Sequence, residues 1–385
     1  MKSKLSFIVL LFILLSSCVN TEQPKVDVIG PQSVKVENGI LTPEVLWSFG
    51  RLGETAVSPN KAMIAYTVTW YSVDKNSSNA ELFIMNVDGS NKKQLTTTSA
   101  IEFNPVWVND NTIAYLSTEG ETAQIWTINI DGSDRKKISS FDSDINGFQI
   151  SPKGDKILFI SEVKIDKSTA DVYPDLPKAS GTMFSDLMYR HWDSWEDGLY
   201  SHIFVADFSK GMVTNAKDIM QGEPYDSPLK PFDGMEQISW TPDGKQIAYT
   251  CKKLFGKKYA FSTNSDIYLY NIENGEVKNL NEGMMGYDKA PVFSPDGSKM
   301  AWLSMEHAGF EADKNRLFIM DMANGQKTYM TPDFDYSVSN IQWTIDGKSL
   351  YMIAGVNATY QIYKMDVASK TLSPVTKGNH DYHSV

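Results

Sequence analysis

A two-part phrase repeats six times along this chain of 385 residues and constrains its fold more than any other feature. Its first part is Ser or Thr, Pro, a polar residue and Gly, or a variant, followed by an apolar stretch such as Ile247-Ala248-Tyr249. Because proline presets φ and glycine supplies a positive φ, this part predicts a tight hairpin. Its first residue, or the Val counterpart, recurs at Ser58, Val108, Ser151, Thr241, Ser294 and Thr344.

The second part of the phrase is a strand, an Asp-Gly or Asn-Gly turn and a polar strand, as in residues 82–89 and 125–132. Each unit therefore holds four strands, and four strands at this period are typical of a propeller blade. A β-sandwich is the alternative, but it does not reproduce one two-hairpin phrase at a fixed period. We predict an all-β fold, a β-propeller with six recognisable four-stranded blades. Six blades can close a ring, so the count leaves open whether another blade belongs to it.

The spacing between Ser151 and Thr241 is one blade plus a long excess. This excess predicts an insertion at about 166–200 in the third blade, and long insertions in compact folds are often functional. It ends in the aromatic and acidic stretch Arg190–Gly198.

The amino terminus has the pattern of a bacterial lipoprotein signal. Lys2 and Lys4 precede an apolar run that is too short to span a membrane, and small residues lead into Cys18. We predict a signal peptide at 1–18, lipidation of Cys18, a tether at 19–40 and the propeller at 41–385. An ordinary secretory signal with a chance cysteine is the alternative. The predicted location is the periplasm of the bacterial cell envelope, with the membrane contacted only by the lipid anchor.

Composition excludes some partners and some chemistry. The net charge of −11 argues against nucleic acid as a partner. Cys251 is the only other cysteine, so no disulfide framework is expected, and it is predicted to be a buried small hydrophobe rather than a reactive thiol. Among five histidines only His380 and His383 have ligand-like spacing, and no calcium-loop pattern occurs, so no metal site and no cofactor are predicted.

Two segments beyond the repeats carry a family resemblance. They are residues 41–47 with 56–59, and residues 187–198 before the strand at 202–205. With the repeats, they resemble the N-terminal propeller of the prolyl oligopeptidase family of serine peptidases, chiefly its dipeptidyl-peptidase V and acylaminoacyl-peptidase-like members. The Ser-Pro-Asp-Gly phrases alone are shared with TolB-like propellers.

The resemblance implies a seventh blade and an α/β-hydrolase domain, and neither is visible in this sequence. The Gly-x-Ser-x-Gly nucleophile motif is absent from it, so no catalytic residue is predicted. The expected function is that of the propeller portion of a secreted peptidase, which gates and positions short peptides and is inactive alone because its catalytic domain is missing. The alternative is a stand-alone TolB-like propeller that binds a protein partner in the periplasm.

The resemblance also implies that acidic side chains of the propeller hold the free amine of a peptide. The predicted substrate-binding residues are Asp193, Trp195, Glu196 and Asp197, with Trp192 as a further apolar wall. Helical spacing would place Asp193 and Glu196 on one face. Two alternatives stay open: Trp192 and Trp195 fill a blade interface while Arg190 pairs with Asp193, or the segment is a docking surface for the missing domain.

Overall fold

Six four-stranded antiparallel sheets follow one another along the chain in the computed structural model, which describes residues 28–231 and 234–385. Each sheet takes consecutive strands, apart from the third, which is interrupted by the insertion. The predicted six-bladed, all-β architecture is confirmed. The predicted signal peptide, Cys18 and the first part of the predicted tether lie outside the described residues.

The strands assign to blades in chain order. Blade 1 contains β1 (Arg51–Val57), β2 (Met63–Ser72), β3 (Ser77–Asn86) and β4 (Lys93–Gln94). Blade 2 contains β5 (Glu102–Asn109), β6 (Thr112–Ser117), β7 (Gln124–Asn129) and β8 (Lys136–Lys137). Blade 3 contains β9 (Gly147–Ile150), β10 (Lys156–Lys164), β13 (Leu199–Ser209) and β14 (Met212–Asp218), and its insertion carries β11 (Arg190–His191) and β12 (Ser194–Trp195).

The second half of the chain repeats this order. Blade 4 contains β15 (Ile238–Trp240), β16 (Gln246–Cys251), β17 (Asp266–Asn271) and β18 (Val277–Asn279). Blade 5 contains β19 (Asp288–Phe293), β20 (Lys299–Ser304), β21 (Arg316–Asp321) and β22 (Lys327–Tyr329). Blade 6 contains β23 (Val338–Trp343), β24 (Ser349–Val356), β25 (Thr359–Asp366) and β26 (Leu372–Pro374).

The helices are short and lie outside the sheets. They are α1 (Pro43–Ser48), α2 (Thr169–Val172), α3 (Lys257–Phe261) and a 3₁₀ turn at Met235–Gln237. Within the described part of the chain, no helix is long and apolar enough to cross a membrane.

The first hairpin of every blade except blade 2 closes through the turn that the Ser/Thr phrase predicts. In blade 5 the Ser294 N–H donates to Lys299 O at 2.9 Å, and the Lys299 N–H donates to Ser294 Oγ at 3.0 Å. Gly297 sits in this turn at φ 70°, where a side chain would be disfavoured. The turn residues named by the repeat therefore set the register of the first two strands.

In five blades a second hydrogen bond links the third strand to a residue just after the fourth strand. A buried backbone N–H early in the third strand donates to a Thr, Ser or Asn side chain fourteen residues later. The pairs are Leu82 with Thr96, Ile125 with Ser139, Ile267 with Asn281, Leu317 with Thr331, and Ile362 with Thr376. Because the outer strands are short, this side-chain acceptor satisfies an N–H that a longer strand would pair with backbone.

The hydrophobic core lies between successive blades. Five clusters of buried apolar side chains join blades 1 to 2, 2 to 3, 3 to 4, 4 to 5 and 5 to 6. Cys251 is fully buried in the cluster between blades 3 and 4, in agreement with its predicted role. The described residues include no such cluster between blade 6 and blade 1, and Leu52 of β1 is 76% exposed. The apolar packing is therefore continuous from blade 1 to blade 6 and open between the two ends.

Residues from 28 onward lie against blade 1. Gln32 Nε2 donates to Tyr71 O at 2.7 Å, and Asn79 Nδ2 donates to Ile29 O at 3.3 Å. Trp47 of α1 packs edge-on against Tyr71. The last part of the predicted tether thus contacts the propeller.

Candidate functional site in the blade 3 insertion

The insertion at residues 165–198 joins the second and third strands of blade 3. The segments 252–265 of blade 4 and 305–315 of blade 5 join the equivalent strands, so all three emerge at the same face of the propeller. They contact one another in sequence: Gly256 lies against Asp186 of the insertion, and the Gly309 N–H donates to Thr263 Oγ1 at 3.0 Å. Together they form a cap on that face.

The acidic and aromatic stretch of the insertion is a hairpin, and the helical spacing considered from the sequence is wrong. β11 and β12 pair Arg190 with Trp195 and His191 with Ser194. This pairing leaves Trp192 and Asp193 as the two-residue turn, in which Trp192 adopts φ 50°. Asp193 therefore lies at the exposed tip of the hairpin, and Glu196 lies past the end of β12, away from that tip.

The alternative in which the tryptophans fill a blade interface is also wrong. Trp192 and Trp195 are both well exposed. The Arg190 guanidinium does not need Asp193 as its partner, since its Nε donates to Trp192 O at 2.6 Å and its Cζ lies 5.3 Å above the Trp195 ring.

An exposed aromatic surface forms one side of the insertion. The rings of Phe184 and Trp195 stack at 5.9 Å between centroids, and Tyr189 lies 6.4 Å from Trp195. A shallow groove runs along these rings and is bordered by Ser180 and Thr182. We name Phe184, Tyr189 and Trp195 the aromatic platform.

A cavity of about 520 Å³ lies between the insertion, the segment 224–226 and the blade 4 loop. Its lining includes five acidic residues and a single lysine, Lys167; the acids are Asp166, Asp186, Glu196, Asp197 and Asp226. Of the four predicted site residues, the structure places Glu196 and Asp197 in this acidic cavity, Trp195 in the neighbouring groove, and Asp193 in neither.

The wall of the acidic cavity is partly buried and rigidly bonded. Tyr200 donates its hydroxyl to Asp166 Oδ2 at 2.7 Å. Asp226 is buried, accepts the Ser201 N–H at 2.9 Å and lies 3.6 Å from Lys230 Nζ. Burial raises the pKa of Asp226 to about 6, and the nearby Lys230 opposes that shift. At neutral pH Asp226 therefore adds to the negative charge of the wall.

The far wall comes from blade 4. Lys252 Nζ donates to Tyr259 O at 2.6 Å and sits 3.8 Å above the Tyr259 ring. Burial lowers the pKa of Lys252 to about 8. Above neutral pH a smaller fraction of its amine is therefore protonated than in an ordinary lysine. Tyr259 itself lines the acidic cavity.

Sequence reasoning missed Asp166, Asp186, Tyr200, Asp226 and Tyr259. Tyr259 and Asp226 come from parts of the chain far from the Arg190–Gly198 stretch, and neither belongs to the repeated phrase. One signal was present: the connections between second and third strands are unusually long in blades 3, 4 and 5, and such loops share one face. The arrangement suits a cationic, hydrogen-bonding group beside an apolar one, since carboxylates accept strong hydrogen bonds from ammonium.

The sequence of this chain matches a known family of propeller domains. The TolB beta propeller domain matches residues 50–178 and 234–385, well over half of the chain. The chain belongs to the TolB-like β-propeller family.

Two relatives of this TolB-like propeller are named Dipeptidyl-peptidase 5. The one from Porphyromonas gingivalis is 46% identical over 343 residues, which cover 89% of this chain and 50% of that protein. The one from Porphyromonas endodontalis is 40% identical over 354 residues, which cover 91% of this chain and 51% of that protein. The chain thus spans about half the length of these curated relatives.

Solved structures show the same fold at low identity. The acylaminoacyl peptidase of Pyrococcus horikoshii aligns with a TM-score of 0.63 at 16% identity, covering 86% of this chain and 47% of that one. The β-propeller domain of the Trilobed protease from Pyrococcus furiosus aligns with a TM-score of 0.54 at 16% identity, covering 86% and 84%. The predicted resemblance to the propeller part of dipeptidyl-peptidase and acylaminoacyl-peptidase-like proteins is confirmed.

Proposed function

We propose that this TolB-like propeller is the substrate-gating part of a dipeptidyl-peptidase-5-like serine peptidase. In this proposal the acidic cavity binds the free amine of a short peptide, and a hydrolase domain supplies the catalytic residues. The observation that carries the proposal is the set of five carboxylates around one cavity beside the aromatic platform. The length relation to the relatives supports it, since this propeller matches only about half of each.

The charge distribution of the cavity favours an ammonium group over a carboxylate. Lys167 is the only lysine in the lining, and Lys230 behind the wall is already engaged by Asp226, by Glu162 at 3.3 Å and by Leu199 O at 2.8 Å. An α-amine ionised at neutral pH would donate charge-assisted hydrogen bonds to Glu196 or Asp197, while a side chain of the peptide packs on an aromatic ring.

The test is binding of dipeptide amides to the full chain, measured by ligand-observed NMR at pH 7. We expect Gly-Phe-amide to bind and its N-acetylated form to lose binding, because acetylation removes the positive charge. Glu196→Gln should weaken binding about tenfold, the effect of roughly 1.4 kcal/mol. Asp193→Asn is the matched control in the same hairpin and should bind normally.

Equal binding of the acetylated and free peptides would contradict the amine-binding role. A complete lack of peptide binding, together with capture of a specific envelope protein, would instead favour the stand-alone partner-binding function.

We propose further that the chain is a lipoprotein of the bacterial envelope, anchored at Cys18. The support is the pattern of Lys2, Lys4, the apolar run and the small residues before Cys18. Expression in a bacterium with radiolabelled palmitate should label the wild-type chain, and Cys18→Ser should abolish the label. Labelling that persists in Cys18→Ser would contradict the anchor.

A further inference from the structure

His202 lies on β13, two residues after Tyr200, and its side chain is fully buried. Both nitrogens of its ring have a partner. Nδ1 lies 2.8 Å from Asp218 Oδ2, and Nε2 lies 2.9 Å from Glu223 O. A backbone carbonyl and an ionised carboxylate only accept hydrogen bonds, and a neutral imidazole has a single N–H to donate. One of the two contacts would therefore lack a proton unless the ring is doubly protonated or Asp218 is itself protonated.

The surroundings of Asp218 favour its ionised form. Its other oxygen, Oδ1, accepts the Met220 N–H at 2.8 Å, and hydrogen bonds from backbone N–H groups stabilise a carboxylate. Within residues 28–231 and 234–385, no lysine or arginine forms an ion pair with Asp218, whose one ion-pair partner there is His202. The proton in the contact between them therefore belongs to the ring.

The other charged groups beside this pair have partners of their own. Lys253 Nζ lies 2.6 Å from the Glu223 carboxylate, and Lys230 Nζ lies 3.6 Å from Asp226 Oδ1. Neither lysine is left to neutralise Asp218. Because a partly buried carboxylate without a counter-charge is costly, a positive ring is the partner that this site requires.

Ser201 and His202 together hold the segment that carries Asp226. The two contacts of His202 fix its beginning and its middle. Farther along, Asp226 Oδ1 accepts the Ser201 N–H at 2.9 Å, and Ser201 O accepts the Ser227 N–H at 2.8 Å. Residues 224–226 of this segment line the acidic cavity. Two adjacent residues of β13 therefore determine where this part of the cavity wall lies.

Glutamine occupies the position of His202 in two other blades. Gln124 of blade 2 and Gln361 of blade 6 stand one residue before an isoleucine that accepts the same backbone hydrogen bond as Ile203. Each glutamine donates from Nε2 to two carbonyl oxygens of the segment after the fourth strand, at 2.9–3.2 Å. A residue at this position therefore holds the segment that leaves the blade, and in blade 3 that segment is part of the cavity wall.

We infer that His202 is an imidazolium with both nitrogens protonated, and that it positions residues 219–226, which carry Asp226 into the acidic cavity. A glutamine at this place could donate to Glu223 O but would leave Asp218 without a cation. Histidine holds both points at once. The consequence for peptide binding rests on the function proposed above, whereas the protonation of the ring and the hold on the segment do not.

The first test is the protonation of the ring in the full chain at pH 7, measured by NMR of protein labelled with ¹⁵N at histidine. The resonances of His202 are identified by their absence from His202→Gln. We expect both ring nitrogens of His202 to carry a proton. A ring nitrogen of His202 without a proton would overturn the inference that it is an imidazolium.

The second test is hydrogen exchange of the peptide that contains residues 219–227, followed by mass spectrometry without any ligand. His202→Ala removes both contacts, so exchange should become at least about tenfold faster, the effect of losing a hydrogen bond to a charged group. His202→Gln keeps a donor for Glu223 O and should recover part of the protection. Gln361→Ala removes the same kind of hold in blade 6 and should leave this exchange unchanged.

The third test is binding of Gly-Phe-amide at pH 7 to the same variants. Because a mobile wall no longer fixes Asp226, His202→Ala should weaken binding at least about tenfold. His202→Gln should be intermediate, and Gln361→Ala should bind as the wild type does.

Wild-type exchange of residues 219–227 in His202→Ala, or equally fast exchange in Gln361→Ala, would overturn the positioning role. If the wild-type chain binds no peptide, the proposed function fails, and ring protonation and hydrogen exchange still decide the inference. If His202→Ala does not fold, His202→Gln takes its place, and exchange as slow as in the wild type would contradict the role.

Discussion

Buried polar side chains, as well as apolar ones, tie the strands of this propeller together. Asp288 is fully buried at the start of β19, and its Oδ1 accepts the indole N–H of Trp302 at 2.9 Å. Burial raises the pKa of Asp288 to about 7, against an ordinary value of about 3.9 in an unfolded chain. The folded chain therefore holds a proton on Asp288 that the unfolded chain releases between these two pH values.

This difference predicts that Asp288 makes the fold less stable as pH rises from about 4 to about 7. The change amounts to an upper limit on the order of 4 kcal/mol, since each pKa unit corresponds to about 1.4 kcal/mol. Asp288→Asn mimics the protonated carboxyl. As pH rises from about 4 to about 7, the free energy of unfolding of the variant should therefore increase relative to that of the wild type. Urea unfolding at several pH values measures the difference.

Asp296→Asn is the control for this series. Asp296 is an exposed turn residue. Hydrogen bonds from Ser294 and Ser298 lower its pKa to about 2, so in the folded chain it titrates below the pH range tested. A constant difference between Asp288→Asn and wild type across pH 4 to 8 would contradict the account of Asp288.

Turn residues were predictable at this scale, and the buried polar partners were not. Prolines and glycines impose local φ values, so the Ser-Pro-Asp-Gly phrase around Ser294 could be interpreted directly. The Thr331 hydroxyl that accepts the Leu317 N–H lies fourteen residues away, just beyond the end of β22. Because Ser and Thr are common in strands and turns, this partnership becomes visible only once the sheet is formed.

At the scale of elements, the insertion of blade 3 is defined by the place where it rejoins the sheet. The Ile165 N–H donates to Gly198 O at 3.0 Å. Gly198 has φ 82°, and a Cβ there would lie 2.6 Å from Asp166 O. Only glycine fits this junction without displacing the backbone that carries Asp166 into the acidic cavity.

Gly198→Ala is therefore expected to loosen the insertion while the blades stay folded. A left-handed conformation costs an alanine roughly 1–2 kcal/mol, and the close approach to Asp166 adds to this. Limited proteolysis should cleave the variant within 165–198 faster than the wild type, with little change in circular dichroism.

Gly181→Ala, which adds a methyl group where no atom lies within 4 Å, should leave the cleavage rate unchanged. Equal protease resistance of Gly198→Ala and wild type would refute this role of the junction.

The position and length of the insertion could be predicted, because the repeat stops and resumes around it. Its internal shape could not. The stretch Arg190–Gly198 is equally compatible with helical and hairpin spacing, and the turn at Trp192 and Asp193 decides between them. The acidic cavity also needs Asp226 and Tyr259, which the chain brings in from two other segments.

For the whole molecule, the central feature is the open interval between blade 6 and blade 1. The first strands of successive blades contact one another, so β1 belongs to the inner ring of strands. Leu52 and Val57 of β1 are nevertheless 76% and 58% exposed. The resemblance to seven-bladed propellers implies a further sheet that would cover this strand.

An uncovered inner strand predicts self-association of this chain when it is expressed by itself. The double variant Leu52→Ser with Val57→Thr should reduce the concentration-dependent association seen by sedimentation velocity. Val87→Ser, which changes a similarly exposed residue outside the strands, is the control and should not reduce it. A monomeric wild-type chain with a sharp, high melting transition would instead indicate that six blades close the ring.

The most direct measurement of the proposed role is photoaffinity labelling of the full chain with a dipeptide that carries a free amine and a diazirine side chain. Mass spectrometry should locate the label in peptides from residues 180–200, 224–226 or 254–259, which surround the acidic cavity. Unlabelled dipeptide should compete for these positions, and its N-acetylated form should not. Labelling elsewhere on the blades, or equal competition by the acetylated dipeptide, would contradict the claim that this propeller holds the amino end of a peptide.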